Sequence, residues 1–216
     1  MNFRNRLSSA RAFTLVELLT VMGIMIVMVG LGVSAFRGGA SGSGVKGASS
    51  VMGGLCSTAR SEAMLRQTRT RVVIDTAYDP AKPQNFLRRA TIAYYDPEQP
   101  SNWQFREKWE VLPIGVFYNT DYSHPHGKDM KLPSSFGKAS ADYWFYEFLP
   151  NGQANQSLAS DSNVPVQLLV SPGLVAGSGV FQPRNPKNPT ADLYGFMLPR
   201  MGNPLYFNDV QVIQRP

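Results

Sequence analysis

The chain holds a single cysteine, Cys56, among its 216 residues, so no intrachain disulfide can staple it. Stability must come from packing. A content of 43% hydrophobic and 11% aromatic residues supplies a core and excludes wholesale disorder. Cys56 is expected as a small buried residue on a helix. Histidine is nearly as scarce: His124 and His126 flank Pro125 in a polar stretch and are the only two. Two imidazoles with no neighbouring cysteine make a poor zinc site, so both are expected on a loop surface. Neither stands in a Ser–His–Asp arrangement, and Asp121, Asp129, Asp142 and Asp161 lack EF-hand spacing. The sequence therefore predicts no metal, no cofactor and no catalytic centre.

Acids are missing from the first twelve residues, which carry Arg4, Arg6 and Arg11. The net charge of +6 arises from 21 basic and 15 acidic residues. Without those three arginines the balance falls to 18 against 15, a net of +3. A nucleic-acid partner inferred from charge alone is correspondingly weakened.

Charge is also nearly absent from the next segment. Phe13 to Phe36 is a run of 24 residues whose one charged member is Glu17. As a helix it would extend roughly 36 Å, enough for a bilayer core of about 30 Å. Basic residues precede it, so the positive-inside tendency puts the leader in the cytoplasm and the chain after Arg37 outside. A secretory signal cleaved after Val33-Ser34-Ala35 is the first alternative, but the run exceeds the usual h-region of about 7–15 residues. A plain anchor is the second, and neither alternative accounts for Glu17. A carboxylate in hydrocarbon costs on the order of several kcal/mol unless paired. No cation shares its depth in this helix. An amine newly exposed at Phe13, four residues upstream, or the same amine of a neighbouring subunit, supplies one, and a low-dielectric bundle would strengthen the attraction.

Ala12-Phe13-Thr14-Leu15-Val16-Glu17-Leu18-Leu19 resembles the cleavage and methylation motif of type IV pilins and pseudopilins. The resemblance implies that a prepilin peptidase cuts between Ala12 and Phe13 and methylates the Phe13 amine. It also implies that Glu17, the fifth mature residue, serves assembly. Ala12 stands where the family usually carries glycine. The resemblance implies a single-pass inner-membrane protein with a periplasmic head that later enters a filament.

The stretch Arg37 to Gly44 is rich in glycine and is expected to be a hinge or melted segment rather than firm helix. Gly42 to Gly47 satisfies G-x-G-x-x-G literally, but an apolar helix precedes it where a nucleotide site needs a strand. From about Val45 to Gln67 helical periodicity returns. Ala48, Met52, Leu55, Ala59 and Ala63 mark one narrow face of mostly small residues, fit for close packing against a sheet. Ser57-Thr58-Ala59-Arg60-Ser61-Glu62-Ala63 with Arg66 resembles the H-type minor pseudopilins of type II secretion and their FimT-like counterparts. So do Trp109-Glu110-Val111-Leu112-Pro113 and Phe148-Leu149-Pro150-Asn151-Gly152. An exposed Arg/Glu helix face explains the charges of the first segment equally well. The enlarged head also resembles the pseudopilin-like Verru_Chthon cassette protein D group.

Beyond Arg69 the chain reads as strands: Thr70–Asp75, Ala90–Asp96, Trp109–Tyr118, Tyr143–Leu149, Val164–Ser171, Leu193–Leu198 and Leu205–Gln214. Asn119–Asp142 and Ala176–Asp192 are read as long insertions. Tyr143, Trp144, Phe145 and Tyr146 must face both sides of a sheet and are expected to be core, with some able to reach a partner surface. The predicted class is α+β. The expected domains are a leader (1–12), a membrane and assembly helix (13–37), a hinge with an amphipathic helix (38–68), and a β-rich head (69–216).

Two functions from different classes remain. The first is a minor pseudopilin-type filament subunit, whose partners would be similar subunits, prepilin peptidase, the inner membrane and a secreted cargo. The second, implied by the FimT-like resemblance, is DNA uptake. Arg60, Arg66, Arg69 and Arg71, with Arg88 and Arg89, would then meet phosphates, which requires them on one face. Helical periodicity puts Arg60 and Arg66 on different sides. An anchored or exported envelope protein of another role is the remaining alternative.

Overall fold

The computed structural model describes residues 15–98, 102–134, 138, 141–156, 165–177 and 179–207, with residues 26–43 described by backbone alone. The chain divides into two compact units, Met1–Ala40 and Ser41–Pro216. One α-helix, α1 (Leu15–Arg66), contributes to both. Its backbone stays helical through the glycine-rich stretch, where a hinge or melted segment was expected. Propagating a helix from two flanking segments avoids a new nucleation step, which offsets the roughly 1 kcal/mol that each glycine costs relative to alanine. The unit boundary, between Ala40 and Ser41, falls within that stretch.

The head portion of α1 buries the face that periodicity marks. Ala48, Met52, Leu55, Ala59 and Ala63 are all buried, joined by Val45 and by Cys56, a small helix residue as expected. The serine and threonine hydroxyls on the other side bond back into the helix, Ser57 to the Gly53 carbonyl and Thr58 to the Gly54 carbonyl at 2.9 Å each. The helix ends when Gln67 adopts φ +52° and the Thr68 amide donates to the Ala63 carbonyl at 3.2 Å. This is a Schellman arrangement with glutamine at the left-handed position glycine usually fills.

The head contains two antiparallel sheets. The first runs in the order β3 (Trp103–Phe105), β2 (Arg89–Tyr95), β1 (Thr70–Ile74), β7 (Tyr143–Phe148) and β6 (Gly127–Met130), with β4 (Glu110–Val111) also on β2. The second runs β11 (Leu205–Phe207), β10 (Tyr194–Met197), β8 (Gln167–Val175) and β5 (Val116–Tyr118), with β9 (Phe181–Pro183) also on β8. The expected strand Trp109–Tyr118 is thus two strands in different sheets. Pro113 has no amide to give a ladder, and Gly115 takes φ +81°, a turn conformation that frees the chain to switch sheets.

The main core lies where α1 meets inward-facing residues of both sheets, including Val72, Ile92, Tyr146, Phe148, Leu168, Val170 and Phe196. A smaller core covers the other face of the first sheet: Val73, Ala93, Phe105, Met130, Leu132, Tyr143 and Phe145. The aromatic strand therefore divides with period two. Tyr146, Phe148 and half-buried Trp144 serve the main core, while Tyr143 and Phe145 serve the smaller one. The two expected insertions are not bare loops. Asn119–Asp142 supplies β6 and the lid residues Met130 and Leu132, and Ala176–Asp192 supplies β9.

Candidate functional site

Glu17 stands in the first described turn of α1. Around it Leu15, Val16, Leu18, Leu19, Val21, Met22, Ile24 and Met25 are all more than half exposed. These residues occupy every side of the helix. Among the described residues no helix is long and apolar enough to cross a membrane. The processing residues Ala12 and Phe13 lie outside the described residues.

The candidate arginines separate into three places. Arg60 reaches across the head, its Nε donating to the Gly152 carbonyl at 2.9 Å and its Nη1 to Asn203 Oδ1 at 2.8 Å. A Cβ added at Gly152 (φ +77°) would strike Met64 Sδ at 2.7 Å and one at Gly202 (φ +76°) the Gly152 carbonyl, with Arg60 the further neighbour of each at 3.3 and 3.2 Å. Arg60 therefore clamps two turns. Arg69 and Arg71 share the Trp103 ring on the smaller-core face of the first sheet, at 5.9 Å and 4.1 Å, whereas Arg66 lies on the opposite, helix-facing side. Arg66 pairs with Glu62 at 3.0 Å and lies 4.2 Å over the Tyr94 ring. Arg69 covers Tyr95 at 4.5 Å. Arg71 is layered between Phe145 at 3.7 Å and Trp103 at 4.1 Å. Guanidinium planes on ring faces are favourable by about 0.5–2 kcal/mol each, depending on desolvation.

Arg71 also anchors a polar network that the sequence reading missed. Its Nε meets Glu147 Oε2 at 2.6 Å, directly across the β1–β7 ladder. Glu147 has 0% of its side chain exposed and takes a second bond from Asn155 Nδ2 at 2.6 Å. The Glu147 amide donates to His126 Nδ1 at 2.8 Å, which fixes the neutral imidazole as acceptor there. His126 is buried, not on the loop surface as expected, while His124 is exposed. Burial, seconded by the Arg71 charge, lowers the His126 pKa to about 4. Burial also pulls the Arg71 pKa down, against the opposing pull of Glu147. A lone charge inside the aromatic strand Tyr143-Trp144-Phe145-Tyr146-Glu147-Phe148 was the available signal.

Asp75 and Arg89 form a second sheltered pair at 2.5 Å, with Arg89 4.4 Å from the Trp109 ring. Burial raises the Asp75 pKa despite the guanidinium. This pair floors a cavity of about 480 Å³ that Lys82, Trp109, Lys138 and Tyr143 help to line. Arg88, grouped with Arg89 in the sequence, instead donates to the Leu112 carbonyl at 2.7 Å and the Gln84 carbonyl at 3.0 Å. Among the described residues no group of three or more histidine, cysteine or acidic side chains is placed to hold a metal ion. Each sheltered carboxylate is thus neutralised by an arginine across a strand pair, an arrangement that orders a sheet.

No family model matches the chain, and no curated protein matches it by sequence. Among solved structures it is similar to the minor pseudopilin EpsH of the Vibrio cholerae type 2 secretion system. One structure matches with a TM-score of 0.42 at 12% identity, covering 76% of this chain and 95% of that one. A second matches with a TM-score of 0.43 at 13% identity, covering 77% and 94%.

Proposed function

We propose that the chain is a pilin-like structural subunit of the minor pseudopilin type, cut before Phe13, held in the inner membrane by its stem and then incorporated into a short periplasmic filament. The single observation that carries this is the exposure of apolar side chains all around the first turns of α1 with one carboxylate, Glu17, among them. Exposed Leu, Ile and Met side chains each forgo about 1.5–3 kcal/mol of burial. A bilayer and then a bundle of similar helices recover it. Glu17 gives that bundle its register by pairing with the Phe13 amine of a neighbour, because an unpaired carboxylate in such a site is costly.

The head supports a binding role over a chemical one. Its sheltered charges are spent on ion pairs within the sheet, and its candidate DNA contacts Arg60, Arg66 and Arg71 are already engaged by protein groups. The test is incorporation of Glu17→Ala. The variant should stay in the membrane fraction after alkaline extraction yet be lost from sheared filaments. Filament incorporation at the wild-type level would refute the pairing.

A further inference from the structure

The end of the head where α1 enters it carries an apolar tip that packing within the chain leaves bare. Ile114, at the turn between β4 and β5, is 93% exposed; Leu174 is 73% and Val180 55% exposed. Hydrogen bonds bring the three together. The Gly173 amide donates to the Gly115 carbonyl at 3.0 Å, setting Leu174 beside the Ile114 turn. The Ala176 amide donates to the Val180 carbonyl at 3.0 Å, closing the β8–β9 hairpin that holds Leu174 and Val180. Adjoining Val116 is the neighbour a Cβ on Gly44 would meet, at 3.8 Å, so this tip adjoins the first residues of the head helix.

Cations ring the same end. Lys46 is exposed two residues beyond Gly44. The Arg184 amide is bonded to the Pro172 carbonyl at 3.0 Å, opposite Val116, and its side chain is exposed. Lys82 is exposed on the loop whose Tyr78 hydroxyl donates to the Gly177 carbonyl at 2.8 Å. Acids also line the cavity beside Lys82: Asp79, whose Oδ1 accepts from the Ala81 amide at 3.0 Å, Asp75, which is paired with Arg89, and exposed Glu107. Bare aliphatic side chains ringed by flexible cations match the boundary between acyl chains and anionic headgroups.

We propose that this end of the head is a bilayer-contact surface: Ile114, Leu174 and Val180 enter the headgroup region, and Lys46, Lys82 and Arg184 meet anionic lipid. The proposal rests on the membrane-anchored reading above, which brings the bilayer to this end through the few residues between Phe36 and Gly44. It fixes the head against the membrane before assembly and gives extraction a defined set of contacts to break.

The test reconstitutes the full chain into vesicles containing brominated phosphatidylcholine, with or without phosphatidylglycerol. An indole is introduced by I114W or, as the distant control, by L65W; Leu65 is 84% exposed near the opposite end of the head helix. Fluorescence is compared with that of the parent chain. The expected result is bromine quenching and a blue shift for I114W in anionic vesicles, with L65W unaffected. Changing Lys46, Lys82 or Arg184 to Gln should weaken the local association about fivefold per cation. Vesicle flotation with an unquenched I114W overturns the surface and leaves the stem intact. Failure of every variant to float with either lipid overturns the anchoring and the surface together. Equal quenching of I114W and L65W also overturns the surface, since contact is then not confined to this end.

Discussion

Replacing Arg71 by Leu should destabilise the head by about 3 kcal/mol, the lower end of the range for stripping a buried charge of its partner. The lower end applies because Asn155 still donates to Glu147 at 2.6 Å, so the carboxylate is not left bare. In the parent chain Glu147 has 0% of its side chain exposed, beneath an Arg71 that is 15% exposed. The variant also loses stacking on Phe145 and Trp103. In a urea titration followed by tryptophan fluorescence, a loss of this size moves the midpoint by about 1.5 M at unchanged slope. The melting temperature would fall by about 6–12 °C. The double variant Arg71→Leu/Glu147→Leu should recover most of the loss, because an apolar pair of fitting volume often equals a buried ion pair. The reasoning is refuted if Arg71→Leu costs less than about 1 kcal/mol, the range of an exposed pair, or if the double variant is as unstable as the sum of the singles.

Three further outcomes follow from the same geometry. His126 titrates near 4 in the fold against an ordinary value of 6.5. The unfolded chain therefore binds the extra proton between those values, and stability present above pH 6.5 is lost as pH falls toward 4, by about 3 kcal/mol. His126→Asn should flatten that part of the stability profile relative to the parent, and an unchanged profile would contradict the assignment. Burial pushes the Cys56 thiol up, so it should resist alkylation at pH 8 in folded protein and react at once in denaturant; rapid labelling of native protein would mean the helix–sheet seam opens. Ala59 has no exposed surface against the sheets, so Ala59→Leu should cost about 1–3 kcal/mol by overpacking, measured by the same titration.

Much of the head was legible in sequence because its signals are periodic. The stepping from Ala48 to Ala63 marked the buried helix face, and the strong β-formers of Thr70–Ile74, Tyr143–Phe148 and Tyr194–Met197 marked strands. What stayed hidden depends on partners distant in the chain. Strands β3 and β9 have three residues each and β6 has four, too short to show alternation; they form because β2, β8 and β7 offer ladders. The apolar run through Leu112-Pro113-Ile114-Gly115-Val116 looks continuous, yet its proline and glycine pass the chain between sheets. His126 sits in a polar stretch whose composition suggests solvent, and it is buried only because β6 and β7 pair and the Glu147 amide needs an acceptor. The helical backbone across the glycines reverses a propensity argument, since local preference yields to the flanking helix. For the candidate site, Glu17 was visible as a lone charge in an apolar run, whereas the pairing of Arg71 with Glu147 needed strand register.

The central claim, that this is a processed stem-and-head subunit, is tested most directly by the intact mass of the amino-terminal peptide from protein purified out of its native envelope. The account predicts a chain that begins at N-methylated Phe13, with Glu17 fifth. A peptide that retains Arg4, Arg6 and Arg11, or one that begins at Phe36 after cleavage as a secretory signal, would contradict it.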